Sequence, residues 1–201
     1  MALGDAGDPG VLQTARAKID DLLRDPASID PTLRTPIAYM AAVHGDAALY
    51  ARYQAAYRSA EDPEERYRFL YGLTRFTDPA LVRRTMEYAL GPEVRTQDTK
   101  LLVASMIGHD DTRALAWQLL QQQWDDLQKK AGESTSNGSI VSAAGTFCDA
   151  KAEQQVDHFF SAHPVPDAAR RLQQARERIR SCVALRDAEA PHLSAWLEAH
   201  R

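Results

Sequence analysis

Apolar residues in this chain recur at helical spacing. Leu12, Ala15, Ile19 and Leu22 fall three to four positions apart, which lines one face of an α-helix. The segment RDPASIDP, with two prolines, ends that helix. Asp30 or Thr35 can cap a second helix, with Pro31 or Pro36 in its first turn, where a missing N–H matters least. Gly45 marks the predicted end of this helix. Alternation of period two, the mark of a half-buried strand, is nearly absent.

The following segments look alike. GDAALYARYQAAY, TDPALVRRTMEYAL and HDDTRALAWQLLQQQW each place an aspartate before an Ala/Leu run, and Asp46, Asp78 and Asp111 are the predicted N-caps. These three lie 32 and 33 residues apart. Partner helices are predicted between them, Pro63–Phe76 with a stripe of Tyr67, Leu70 and Leu73, and Arg95–Ile107 with Leu101, Val103, Ala104 and Ile107. A helix pair repeating at about 33 residues cannot bury its apolar faces alone, but stacked pairs share one core. The expected fold is therefore all-α, a superhelix of antiparallel helix pairs of the HEAT or armadillo kind.

Trp117, Leu120, Trp124 and Leu127 continue the stripe and are expected in the core, on one helix. GESTSNGS then breaks the pattern as an internal loop. Helices resume at Ile140–Phe147, Ala150–Ala162, Ala168–Leu185 and Ala188–Ala199, with Pro191 near the first turn of the last. Residues 1–9, MALGDAGDP, read as a flexible start. Residues 10–201 read as a single helical-repeat domain.

Composition changes this picture little. With 201 residues and 44% hydrophobic content the chain can bury a sizeable core. A net charge of −4 argues against a dedicated nucleic-acid binder. No apolar run approaches the ~18–20 residues of a membrane span, so no membrane partner is expected. The first residues have neither the basic nor the apolar region of a signal peptide. Cys148 and Cys182 can form one bridge or remain two buried thiols; the strong burial tendency of free cysteine favours thiols.

Candidate chemistry is sparse. His158 and His163 are five apart and do not share a helix face as i, i+4 ligands would, so no metal site is expected. There is no H-E-x-x-H, no G-x-S-x-G and no phosphate-binding glycine loop. Asp149 beside Cys148, with His158 ten positions on, lacks a nucleophile signature. Arg170, Arg171, Arg176, Arg178, Arg180 and Arg186 spread around their helix among acids and read as a solvated, ion-paired surface. In PEVRTQD, Thr96 can cap a helix, or Gln97 and Asp98 can fill its first turn, where free N–H groups favour acceptors. No catalytic residue is assigned.

The ordered series EVRTQD, ALAWQLLQQQWDDL, VDHFFSAHP and RRLQQARERIR, extended upstream by HGDAALYARYQAAYRSAEDPEERYRFLYGLTRFTDPALVRR, resembles the C-terminal helical domain of aminopeptidase-N-type zinc peptidases. The resemblance extends to the puromycin-sensitive and endoplasmic-reticulum aminopeptidases, and it covers about residues 10–200. It implies a bowl of antiparallel helix pairs without chemistry of its own. The zinc, its H-E-x-x-H ligands and the catalytic tyrosine would belong to a separate catalytic domain, so no cofactor is expected in this chain. The partners implied are the catalytic domain of the same polypeptide and the peptide substrate. Where relatives carry an Asn and, three residues later, a Trp, this sequence has Cys182 and Leu185. The loop Glu133–Ser139 matches one that sends a basic residue toward substrate in some relatives; here it has no Arg or Lys. Thr135, Ser136 and Asn137 are its possible cavity-lining residues, and the loop is expected to be mobile.

The expected function is thus the non-catalytic C-terminal domain of a zinc aminopeptidase, capping the active-site cavity and shaping peptide access. The rival expectation is a stand-alone helical-repeat scaffold that binds a peptide or protein on its concave face.

Overall fold

The computed structural model describes residues 2–132 and 135–200. It is 82% helical, and no strand occurs among the described residues. The helices are α1 (Ala2–Asp5), α2 (Pro9–Arg24), α3 (Pro31–Val43), α4 (Ala47–Ser59), α5 (Pro63–Gly72), α6 (Pro79–Leu90), α7 (Thr96–Gly108), α8 (Asp110–Gln122), α9 (Trp124–Ala131), α10 (Gly138–Ala144), α11 (Ala150–Ala162) and α12 (Ala169–Ala199). Short 3-10 turns precede α3, α6 and α12.

Aspartate starts many of these helices. Asp8, Asp30, Asp46, Asp62, Asp78 and Asp149 each accept a backbone N–H of the first turn through the side chain. Four of them, Asp8, Asp30, Asp62 and Asp78, are followed by a proline whose fixed φ suits the first helical position. Asp30 is therefore the cap of α3, and Pro36 falls inside the helix. Asp111 is not a cap. His109 holds that place for α8 without a side-chain bond, and Asp110 opens the helix.

Packing runs between near neighbours along the chain. α2 lies on α3, α3 and α4 on α5, α6 and α7 on α8, α7 on α10, and α10 and α11 on α12. One apolar core extends from Leu12 to Ile179. Side-chain hydrogen bonds between elements recur at nearly one separation. Arg68 Nε donates to Thr35 Oγ1, 33 residues away, and Arg52 reaches Asp20 across 32. Thr85 donates to the Tyr50 hydroxyl across 35, and Arg84 to Gln54 across 30. Equivalent positions in stacked pairs of about 33 residues meet at this spacing; the all-α architecture is compatible with such a stack.

Several boundaries differ from the expectation. The first residues, expected as loop, include the single turn α1; its Gly4 is buried against Met40 and its Asp5 ion-pairs with Arg75. Leu101 is exposed, because α7 turns Thr99, Leu102, Val103, Met106 and Ile107 inward instead. Trp117 and Trp124 are both buried, at 3% and 7% exposure, but they stand on different helices. The chain breaks at Gln123 (φ −118°, ψ 21°), so Trp124 opens α9. Both indoles still meet Phe159, at 5.3 and 5.2 Å between ring centroids, in edge-on contacts. The last two predicted helices are one, α12, which runs through Pro191.

The two cysteines are not thiols. Cys148, between α10 and α11, is bonded to Cys182 in α12. Burial preference misled here, because the approach of the α10–α11 connection to α12 is a tertiary fact. Closing a 34-residue separation restricts the unfolded chain enough to stabilise the fold by about 3–4 kcal/mol in the chain-entropy model.

Trp124 fills the seam between α9 and α11, where Phe159, Phe160 and His163 meet its ring. Trp124→Ala is expected to lower unfolding free energy by about 3–5 kcal/mol in urea denaturation. An unchanged midpoint would remove Trp124 from the core.

Candidate functional site

The loop after α9 is built around two charges. Glu133 and Ser134 lie outside the described residues. Lys100 projects from α7 and is buried, at 1% exposure. Its Nζ donates to the Thr135 carbonyl and, at 3.2 Å, to Gln128 Oε1. Burial lowers the Lys100 pKa, against the pull of Asp167. From the other side Asp167 Oδ2 accepts from the Asn137 backbone N–H at 2.8 Å and from the Ser136 hydroxyl at 3.0 Å. Burial acts to raise the Asp167 pKa, but these bonds to its charged form outweigh it and hold the carboxyl below its usual range.

The three sequence-predicted residues are therefore together, and their polar groups are engaged by the chain itself. The Thr135 hydroxyl donates to the Ala131 carbonyl at 2.8 Å, and Asn137 Oδ1 accepts from Gln128 at 3.0 Å. The described part of a loop expected to be mobile is thus clamped between α7 and the turn before α12. Sequence reading missed Lys100 and Asp167. A lysine in a mostly apolar helix segment was the available signal, since lysine is rarely buried without partners.

The remaining candidates fall into structural roles. The bond to Cys182 removes Cys148 as a nucleophile. His163 stacks on Phe159 at 4.5 Å, and its Nδ1 is 3.0 Å from the Phe159 carbonyl. Among the arginines of α12, Arg176 pairs with Asp157, Arg180 with Glu153 and Arg186 with Asp187. An apolar groove of about 750 Å³ opens between α2 and α3, lined by Val11, Leu33, Pro36, Ile37 and Met40. The end of α12 carries Leu193, Trp196 and Leu197 into solvent on one helical face.

Residues 1–181 match the family model of the ERAP1-like C-terminal domain. The chain belongs to the ERAP1-like C-terminal domain family. It is similar to aminopeptidase M1 of Arabidopsis thaliana, 27% identical over 185 residues, which are 89% of this chain and 21% of that protein. It is similar as well to aminopeptidase M1-D of Oryza sativa subsp. japonica, 28% identical over 76% of this chain and 18% of that protein. Aminopeptidase 2, mitochondrial, of Saccharomyces cerevisiae is 25% identical over 88% of this chain and 19% of its own length. The chain thus spans about a fifth of the length of these curated relatives.

Among the described residues of this ERAP1-like domain, no group of three or more His, Cys, Asp or Glu is arranged to hold a metal ion. Nor is any helix among them long and apolar enough to cross a membrane. Its most elaborate buried polar assembly lies elsewhere. Arg75, 8% exposed, pairs with Asp5 and donates to His109 Nδ1. His109 Nε2 is 3.4 Å from Ser105 Oγ, which is 2.9 Å from Thr74 Oγ1; Thr74 in turn donates to the Tyr71 carbonyl. One proton arrangement satisfies the chain. Nδ1 accepts from the guanidinium, so a neutral imidazole carries its proton on Nε2 and donates onward.

Burial, with Arg75 and Arg113 adding like charge, depresses the His109 pKa from 6.5 to about 4. The unfolded state therefore binds the extra proton first as pH falls. Stability due to this group is intact above pH 6.5 and declines as pH drops toward 4. The native protein is expected to lose about 2–3 kcal/mol more than a His109→Gln variant across that window, read from urea midpoints at each pH. Parallel pH profiles for the two proteins would exclude a neutral buried His109.

Proposed function

We propose that this chain is the non-catalytic C-terminal domain of a zinc aminopeptidase. In that role it packs on the catalytic part of the same polypeptide, covers the active-site cavity and limits which peptides enter. The observation that carries the reading is the family match over residues 1–181 combined with coverage of only about a fifth of the aminopeptidases it resembles. In this reading zinc and its activated water would be held by the catalytic part of the parent.

Surface chemistry supports a covered rather than a free-standing domain. A stack of helix pairs needs polar outer faces on its terminal pairs to remain soluble alone. Here the α2–α3 groove presents Leu33 at 52% exposure, and the α12 end presents Trp196 at 57%. Preceding segments of the parent polypeptide are the occupants we assign to the α2–α3 groove. Within the cavity, Thr135, Ser136 and Asn137 would act through the shape of a clamped loop, without a charge to recognise a peptide carboxylate.

Two measurements test this. The purified chain is expected to hold no stoichiometric zinc by elemental analysis and to leave aminoacyl-p-nitroanilides intact; one tightly held zinc with chelator-sensitive hydrolysis would refute the non-catalytic assignment. In the full-length parent, replacing Thr135, Ser136 and Asn137 together by alanine is expected to change kcat/KM for a long peptide by about threefold or more while a dipeptide is nearly unaffected. Equal values for both substrates before and after substitution would reduce the loop to a connector.

A further inference from the structure

Asp98 occupies an ordinary sequence position in an unusual environment. It stands in the first turn of α7, where acids are common because the free N–H groups attract them. Such acids are normally solvated, but Asp98 is 5% exposed. A first-turn acid at this position can also reach back to the N–H of its N-cap residue, here Arg95. Asp98 does not. Its Oδ2 accepts from the Tyr67 hydroxyl at 3.3 Å, a contact across 31 residues to α5. Its Oδ1 accepts from no group among the described residues, and it is not sealed off, because the fully enclosed unpartnered side-chain atoms there are Arg75 Nε and Trp117 Nε1.

Asp98 lines a cavity of about 220 Å³ between α5 and the start of α7. Tyr57, Glu61, Arg66, Tyr67 and Arg95 line it together with Asp98. The charges are layered. Asp98 lies buried, Arg66 is half-buried with its guanidinium 5.0 Å from the Tyr57 ring centroid, and Arg95 and Glu61 are exposed at the rim. Among the described residues the side-chain partner of Asp98 is Tyr67, and neither arginine is ion-paired with it. A ligand that carried only a cation would satisfy Asp98 but meet two guanidiniums. A ligand that carried only an anion would meet the carboxylate. The lining suits a small molecule with both charges, positive end inward and negative end outward, and with a body that can lie against tyrosine rings.

We propose that this cavity binds a free α-amino acid as its zwitterion. The ammonium group is held by Asp98 and the Tyr67 hydroxyl oxygen, and the carboxylate by Arg66 and Arg95. Burying Asp98 beside an ammonium removes the penalty of an uncompensated interior charge, which is the driving force for selectivity. The volume fits a single amino acid and is below the range of larger ligand pockets. Amino acids are also what an aminopeptidase releases. That connection rests on the function proposed above; the binding site does not, and a binding measurement on the chain tests it separately.

The experiment is a titration of the 201-residue chain, followed by amide NMR, with L-leucine, L-phenylalanine and L-arginine, and with N-acetyl-L-leucine and L-leucinamide as charge-blocked controls. At least one free amino acid is expected to bind at a single saturable site, shifting amides at the starts of α5 and α7. Blocking either charged end is expected to weaken binding about tenfold or more. Asp98→Asn should abolish the preference for a free ammonium, and Arg95→Gln the preference for a free carboxylate, in variants whose helical circular dichroism matches the parent chain. If Asp98→Asn fails to fold, Tyr67→Phe serves instead, with a several-fold loss for ligands bearing a free ammonium. Absence of saturable binding by all three amino acids up to about 20 mM, or equal binding of the blocked and free forms, would overturn the proposal.

Discussion

The fold depends on successive helices sharing one apolar core, and the seam around Tyr53 ties several of them together. The Tyr53 ring meets Phe69 and Phe76 edge-on at 5.2 and 5.5 Å, and its hydroxyl donates to the Ala38 carbonyl at 2.6 Å. One residue therefore joins α3, α4, α5 and the turn before α6. Two glycines permit the approach. A Cβ on Gly72 would lie 2.9 Å from the Tyr53 ring, and one on Gly45 would lie 2.4 Å from the Phe76 ring. The aromatic contact and the missing side chains are one constraint. Interiors packed at this density leave no room for a methyl group where two rings already meet.

On that apolar frame, polar groups set register. Arg68, Arg75 and Lys100 are buried cations, and each reaches a partner in another element: Thr35, Asp5 with His109, and the Thr135 carbonyl with Gln128. Hydrophobic burial is non-directional, so a stack of similar helices can slide with little loss. A buried guanidinium or ammonium left without its acceptor is far costlier, and that asymmetry fixes which turn faces which. Several side-chain bonds between elements recur at 30 to 35 residues, so the same rule acts at a spacing compatible with stacked helix pairs.

Local rules were legible in the residues, and tertiary ones were not. Asp46 and Asp78 could be read as caps because an N-cap acts within three positions of itself. Asp111 looked the same and failed, since the start of α8 is held at His109, whose ring is engaged by Arg75. The burial of Trp117 and Trp124 followed from size and spacing. The break at Gln123 did not, because the helical period continues through it. Cys148 and Cys182 carried no spacing signal, and their bond reflects where α12 lies. Of the candidate site, sequence indicated the small polar loop at Thr135–Asn137, but not the Lys100 and Asp167 groups that clamp it. Asp98 read as a routine first-turn acid. Nothing in PEVRTQD announces that its carboxylate will be enclosed by a helix 31 residues earlier.

The distribution of engaged and unengaged groups separates regions that hold the domain together from those that face outward. At the 135–137 loop the named hydroxyl and amide groups are spent within the chain, so its contribution is a fixed shape. In the Arg75–His109 assembly the bonds form an unbroken path to the Tyr71 carbonyl, which makes it a staple sensitive to protonation rather than a reactive centre. The α2–α3 groove, with charged residues such as Asp8, Lys18 and Asp30 in its lining, and the α12 end both expose apolar surface, the character of faces that meet other parts of a polypeptide. Among the described residues Asp98 is the one buried acid, and its side chain has a single hydrogen-bond partner. Leaving a buried polar atom unpartnered costs stability, as at Arg75 Nε and Trp117 Nε1, but those atoms are enclosed, whereas Asp98 lines a cavity where a ligand can compensate it.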